Sequence, residues 1–157
     1  MSVTINGTTG ITAPAVTADI NYPDGGPAFS AYQNSPTTLT SAVVTKVLFQ
    51  AEVFDTAGNF ASSIFTPTVA GYYQINANVT IAAAGGANII ILYKNGVEYN
   101  RGGRAQASDF VGLSLSDIVY MNGTTDYLEV YAVTTGATAN TEAGTMTRFS
   151  GALIRSA

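Results

Sequence analysis

The sequence predicts an all-β protein, and three observations carry that expectation. Apolar and polar residues alternate with a period of two along most of the chain, and helical periodicity is not sustained anywhere. Gly, Asn and Pro punctuate the alternating runs at short intervals, as turns between strands require. Charged residues make up only 10% of the 157, well under the roughly 25% usual in globular domains, and Thr, Ala, Gly, Asn and Ser take their place.

Residues 1–26, MSVTINGTTGITAPAVTADINYPDGG, hold small β-branched residues, Gly-centred turns and Pro, but little to build a core. They read as an extended N-terminal arm, with Val3, Ile5, Ile11, Val16 and Ile20 as its apolar contacts to a partner. β-branched residues suit pairing with a foreign strand edge, where main-chain hydrogen bonds supply affinity. The domain proper is expected at residues 27–157.

PAFSAYQ reads as a short first strand of that domain, bounded by Pro27 and Pro36. TKVLFQAEVF reads as one longer strand, in which Val47, Phe49, Ala51 and Val53 alternate with Leu48, Gln50 and Glu52. DTAGN is a turn, and FTPTVAG leads into the clearest strand, GYYQINANVTI. There Tyr73, Ile75, Ala77, Val79 and Ile81 fall on one face, and Tyr72, Gln74, Asn76, Asn78 and Thr80 on the other.

AAAGGA breaks that strand. The next run is apolar on both faces from Ile89 to Tyr93 and should be an inner strand. Asn95–Gly96 then marks a tight hairpin turn into Val97. NRGGRAQ reads as a solvated loop in which Arg101 and Arg104 could clamp an anion. DFVGLSLSDIVYMNG places Val111, Leu113 and Leu115 on one face and ends in an Asn122–Gly123 turn. TDYLEVYAVTT is a strand, GATANTEAGT a polar loop, and RFSGALIRSA the last strand. Many short strands at near-regular spacing suggest a sandwich or barrel.

The order of residues resembles the globular head of complement component 1q, within the tumour-necrosis-factor-like jelly-roll superfamily. The resemblance rests on Phe49, Asp55, Phe60, Phe65, Gly71 and Tyr73 as a core motif, on AFSA, FTPTVAGYYQINANV, LYKNG and FSGALI, and on Ser116–Asp117. It covers residues 27–157. The chain departs from the pattern in a Phe60–Phe65 interval two residues short, and in Ile75 and Ala77 where aromatics are expected. It also shows neither a collagen-like stalk nor a secretory leader at its start, which sets the secreted animal members apart. The resemblance implies a ten-strand-type antiparallel jelly-roll sandwich that forms a homotrimer.

The residues themselves give a reason for self-association. In TDYLEVYAVTT, Leu128, Val130 and Ala132 face one way, while Tyr127, Tyr131 and Val133 face the other, with Glu129 interrupting the second face. A strand apolar on both faces must bury both, and soluble monomers rarely keep such a patch exposed. Tyr127, Tyr131 and Val133 are therefore expected at the trimer interface, burying on the order of 2,000 Å² or more. The competing reading makes the two tyrosines ordinary solvent-facing strand residues.

Chemistry is constrained by absence. Without His or Cys, Ser-His-Asp and Cys-His catalysis, disulfides and His/Cys zinc sites are excluded. Asp55, Asp109, Asp117 and Asp126 each sit beside a turn or strand end, where bonding their own backbone outweighs pairing as glycosidase acids. Ligand-dense calcium loops and phosphate-binding glycine motifs are not seen. Asn6-Gly-Thr, Asn78-Val-Thr and Asn122-Gly-Thr match glycosylation acceptors, but the Gly-containing pair reads as turns. The expectation is a protein without enzymatic activity, catalytic residues, cofactor or metal. A net charge of −4 and a pI near 4.4 argue against nucleic acid, and no run of apolar residues is long enough to span a bilayer as a helix.

Three functions follow as expectations. The first is a trimeric virion structural protein of a tailed bacteriophage, a capsid decoration or cement protein held by its arm to the major capsid protein or a tail protein. The start SVTINGTTGIT resembles N-terminal segments of phage fibre and decoration proteins, and a chain free of Cys suits assembly in a reducing host cytoplasm. The second is a tail-fibre or head-fibre tip for host recognition, reading a host surface glycan through loops at 82–87, 101–109 and 137–144. The third is a secreted complement-head-like lectin or ligand.

Overall fold

The computed structural model describes residues 4–6, 10–12, 26–82, 85–106 and 109–157. Among the described residues the strands run in order as β1 (Thr4–Asn6), β2 (Gly10–Thr12), β3 (Ala28–Gln33), β4 (Thr38–Leu39), β5 (Thr45–Lys46), β6 (Ala51–Asp55), β7 (Phe60–Ala61), β8 (Ile64–Phe65), β9 (Gly71–Ile81), β10 (Ala87–Lys94), β11 (Val97–Gln106), β12 (Val111–Met121), β13 (Leu128–Thr134), β14 (Ala139–Asn140) and β15 (Gly144–Ser156). All pairings are antiparallel, so the chain is an all-β protein of jelly-roll architecture.

Two sheets pack face to face. One is five-stranded, in the order β12-β9-β15-β3-β6; the other runs β11-β10-β13-β8-β7, with β5 also paired to β13. Alternation decides what each sheet turns inward. Tyr73, Ile75, Ala77, Val79 and Ile81 of β9 meet Ile90 and Leu92 of β10 and Leu128, Val130 and Ala132 of β13 in one core. At its centre Phe29 stacks on Phe60 and Phe65, with ring centroids 4.8 and 4.3 Å apart, and takes the edge of Phe149 at 4.9 Å.

The expected single strand from Thr45 to Phe54 is instead two. β5 pairs with β13 of the six-stranded sheet, and β6 pairs with β3 of the five-stranded one. Residues 47–50 cross between the sheets. Val47 and Phe49 drop into the core on the way while Leu48 and Gln50 stay outside, which keeps the alternation that made the segment read as continuous.

NRGGRAQ is not a loop either: β11 continues to Gln106. Its glycines let it cross against β12. A Cβ on Gly102 would stand 2.7 Å from both Leu115 Cβ and Ser114 O, so only a bare backbone approaches that closely. The polar loop after β13 likewise contains β14, which pairs with β4.

The Asn95–Gly96 turn adopts positive φ at both residues (54° and 76°), as a tight hairpin between Lys94 and Val97 requires. At the other predicted turn, the Asn122 side-chain oxygen accepts hydrogen bonds from the backbone N–H of Thr124, Thr125 and Asp126.

Among the described residues β1 and β2 pair only with each other, in a two-stranded sheet with Ile5 opposite Ile11. Val3, Val16 and Ile20 lie outside the described residues.

Candidate functional site

The motif residues Phe49, Phe60, Phe65 and Tyr73 are buried in the common core. Tyr73 donates its hydroxyl proton to Val69 O. Asp55 accepts from the backbone N–H of Phe60 at 2.7 Å and of Ala57 at 3.2 Å, closing the turn before β7. Gly71 lies so close to the backbone oxygen of Arg155 that a side chain there would collide with it. These positions build the fold rather than a reactive centre.

The other turn acids are similarly engaged. Asp109 and Asp117 each accept from the N–H of the next residue, and Asp117 also accepts from Asn100 Nδ2 at 2.8 Å. Asp126 accepts from Asn95 Nδ2 at 2.8 Å and from Asn122 N at 3.0 Å, and pairs with Lys94 at 2.9 Å. The Asn95 hydrogen bond is the main cause that holds its carboxyl below the usual range. Lys94 also donates to Tyr120 O at 2.6 Å and sits 5.9 Å over the Tyr120 ring. Among the described residues no three acids gather as a cation site.

What remains is surface, and the two outward sheet faces differ. On the six-stranded sheet, alternation turns Ile91 and Tyr93 of β10 outward with Glu129, Tyr131 and Val133 of β13. Ile91 and Val133 are nonetheless buried within the chain, Val133 at 8% exposure. The Tyr93 and Tyr131 rings overlap with centroids 4.1 Å apart. Glu129 is buried as well, paired with Lys46 at 2.7 Å, and Lys46 also donates to Ser62 O at 3.1 Å. Burial and the Glu129 carboxylate raise the Tyr131 phenol above its ordinary pKa. Arg101 and Arg104 are exposed on β11; Arg101 donates from Nε to Glu98 Oε1 at 2.6 Å and from Nη2 to Glu98 Oε2 at 3.0 Å. Tyr127, Tyr131 and Val133, the expected trimer residues, therefore all belong to this strand and its approach, and two of them are already engaged inside one chain.

The five-stranded sheet presents the opposite picture. Its outward face carries Phe54, Tyr72, Ile118, Tyr120 and Ile154, each between 43% and 54% exposed. Tyr72 and Tyr120 stand opposite each other in register with rings 5.4 Å apart. The middle of the face is a neutral column: Gln74 Nε2 donates to Ser116 Oγ at 2.9 Å, Ser116 to Asn76 at 3.0 Å, and Ser114 to Asn78 at 3.1 Å. Sequence reading passed over this face because Tyr72, Ile118 and Tyr120 were the polar-side residues of otherwise regular strands. The signal was there in the type of residue, large and apolar where the neighbouring positions are Asn, Gln and Ser.

The comparisons with known proteins agree on the fold. No family model matches the sequence, and no curated relative matches it. Solved structures do match. The globular domain of zebrafish complement 1qA superposes with a TM-score of 0.62 at 17% identity, over 83% of this chain and 99% of that one. Murine APRIL gives 0.67 at 12% identity, over 82% and 99%. Eiger TNF from S. frugiperda gives 0.64 at 6% identity, over 84% and 95%. The chain thus has the jelly-roll fold shared by complement 1q heads and tumour-necrosis-factor domains.

Proposed function

We propose that the protein is a self-associating structural module, a homotrimer built through the outward face of the five-stranded sheet. The observation that carries this reading is the concentration of Phe54, Tyr72, Ile118, Tyr120 and Ile154 on a face that carries no acid along its Gln/Asn/Ser column, with Arg148 of β15 beside Asn78. Depletion of charge with aromatic enrichment marks the core of protein interfaces. A column without acids also suits contact between copies, because a chain of net charge −4 repels itself wherever its acids meet. In a closed ring of three, contacts are heterologous, so different parts of one face can meet. This places the interface on the opposite side of the sandwich from Tyr127, Tyr131 and Val133.

Within that class we favour a virion surface protein of a tailed bacteriophage, a capsid decoration or cement protein anchored through residues 1–26 and assembled in the host cytoplasm. Its support is the absence of Cys, the phage-like start of the sequence, and the separate β1–β2 hairpin ahead of the jelly roll. A three-residue-per-strand hairpin is at best marginal by itself in water, so a partner surface would stabilise it.

The test is location and copy number in purified particles, with the isolated protein weighed by light scattering. Trimers in solution and hundreds of copies on the shell are expected. A dozen or a few dozen copies at the tail would instead support the fibre tip, and absence from particles would leave the secreted ligand. A stable monomer would overturn the self-association itself.

A further inference from the structure

Lys46, Lys94 and Arg101 each hold a carboxylate, at 2.7, 2.9 and 2.6 Å. Arg148 does not. It lies on β15 between Asn78 of β9 and Tyr32 of β3, and its sequence neighbours Thr147 and Phe149 are the ones turned into the core. Its side chain therefore belongs to the outward face of the five-stranded sheet. Its Nε is buried without a hydrogen-bond partner, and among the described residues it pairs with no acid. We infer that Arg148 is the centre of a binding site for one oxyanion: a carboxylate, sulfate or phosphate group.

The first argument is the orphaned donor. A guanidinium carries five N–H donors and no acceptor, and it stays charged. The acceptor beside it in the register is already engaged: Asn78 Oδ1 accepts from Ser114 Oγ at 3.1 Å, while Asn78 Nδ2 donates to Met146 O. Buried donors without an acceptor are costly and rare in folded proteins. This one marks a place for an acceptor from outside the chain.

The surroundings are the second. Ser150 lies two residues along β15, with Asn76 on one side of it and Ser30 on the other. Asn76 Oδ1 accepts from Ser116 Oγ at 3.0 Å, so the amide NH2 is the part that remains to donate. Strand spacings put Arg148, Asn76, Ser150, Ser30 and Tyr32 in a patch of about 10 by 7 Å. Each can donate a hydrogen bond and none is an acid.

Chemistry is the third. A guanidinium fork matches carboxylate, sulfate and phosphate oxygens two at a time. A groove of about 210 Å³, lined in part by Phe54, Gln74, Asn76 and Ser150, adjoins the patch and gives whatever carries the anion an aromatic wall. The net charge of −4 opposes anions only at long range, since charges farther than about 8 Å are largely screened at physiological ionic strength. Arg101, read from the sequence as an anion clamp, is already closed by Glu98. Where copies associate through this face, a reading this last step rests on, the anion also supplies the counter-charge for an enclosed guanidinium.

The test follows the Arg Nε–H signals of the isotope-labelled full chain by NMR while sulfate replaces chloride at constant ionic strength. The Arg148 signal is assigned by its loss in Arg148→Lys. A saturable shift of that signal is expected, together with a rise in melting temperature. Arg148→Lys should weaken the melting response about tenfold in apparent affinity, because an ammonium keeps the charge and loses the fork. Asn76→Asp should abolish it, and Arg104→Lys should leave it unchanged. Acetate and glucuronate separate the sources: tighter binding of glucuronate assigns a sugar-borne carboxylate lying along the Phe54 groove, and equal binding assigns a free anion. The titration is repeated on Tyr72→Lys/Tyr120→Lys, which opens the face with lysines about 20 Å from Arg148 along β9. A saturable shift in either chain upholds the site. No shift in both, or an equal loss in Arg104→Lys, would overturn it. Light scattering of the same samples reports association separately, so a monomer that binds sulfate keeps this inference while losing the trimer.

Discussion

On the outward side of the six-stranded sheet, Ile91 and Val133 are covered by their own chain, with Tyr93 stacked on Tyr131 and Glu129 paired to Lys46. On the outward side of the five-stranded sheet, Phe54, Tyr72, Ile118, Tyr120 and Ile154 are left half exposed around a neutral Gln/Asn/Ser column. Both faces carry tyrosines and β-branched residues, so composition does not separate them. What separates them is whether the chain supplies the cover. On the first face Lys46 of β5 reaches Glu129 and the Ser62 carbonyl; on the second no ion pair closes over the apolar residues among the described residues. A face left unfinished by its own chain is where a copy or partner finds unpaid-for apolar area.

The largest effect should come from removing what both faces rest on. Phe29→Ala empties the centre of the aromatic cluster, where three rings approach within 4.9 Å. The expected loss is about 3–5 kcal/mol of stability, read by urea denaturation. Equal loss from a surface variant on either face would mean that the core does not dominate.

The comparison itself breaks or holds on the next pair. Tyr72→Lys with Tyr120→Lys puts two cations into the apolar end of this face, and the expected outcome in light scattering is a fall from the proposed trimer to monomer with the fold retained by circular dichroism. The loss should exceed about 2 kcal/mol in association, as for central aromatic contacts. Tyr131→Lys should leave the proposed association intact and lower stability instead, because its ring is stacked on Tyr93 within the chain. The reverse result would return the interface to Tyr127, Tyr131 and Val133.

These two faces also show what the sequence makes legible. The strands were readable wherever alternation and turn chemistry coincide, as from Gly71 to Ile81 and at Asn95–Gly96. Reading failed where one alternating run serves two sheets, at residues 47–50, and where glycines mark a close crossing rather than a loop, at Gly102. Burial of both faces of β13 was legible from its residues, but not the agent that buries the second one. Lys46 lies 83 residues before Glu129, and Tyr93 reaches Tyr131 only through the β10–β13 register. The unfinished face stayed hidden for a related reason: Tyr72 and Tyr120 are 48 positions apart and become a pair only when β9 and β12 align.

A smaller effect sharpens the account of the covered face. Glu129→Ala leaves Lys46 half-buried without its carboxylate, and the expected cost is about 1–2 kcal/mol, below the figure for fully buried pairs because Lys46 keeps some access to water. Combining it with Lys46→Met in a double-mutant cycle should recover part of that loss, since a buried pair is costly mainly when halved. Additive losses would show that the two residues act separately.

The smallest effect tests the clasp between the sheets. Lys94 leaves β10 of the six-stranded sheet and reaches both the Asp126 carboxylate and the Tyr120 carbonyl of β12 in the five-stranded one. Asp126 is held below its ordinary range chiefly by the Asn95 hydrogen bond, aided by Lys94 and the Asn122 N–H and opposed by burial. A carboxyl whose folded pKa is depressed contributes stability above its unfolded value, about 3.9, and loses it as pH falls through the folded value. Acid unfolding of the wild type should therefore steepen below about pH 4. Asp126→Asn should lower stability at neutral pH and flatten that acid limb, since the amide cannot titrate. If the variant keeps the same acid slope, other carboxylates govern it, and the link between the two sheets rests on the Lys94–Tyr120 contact instead.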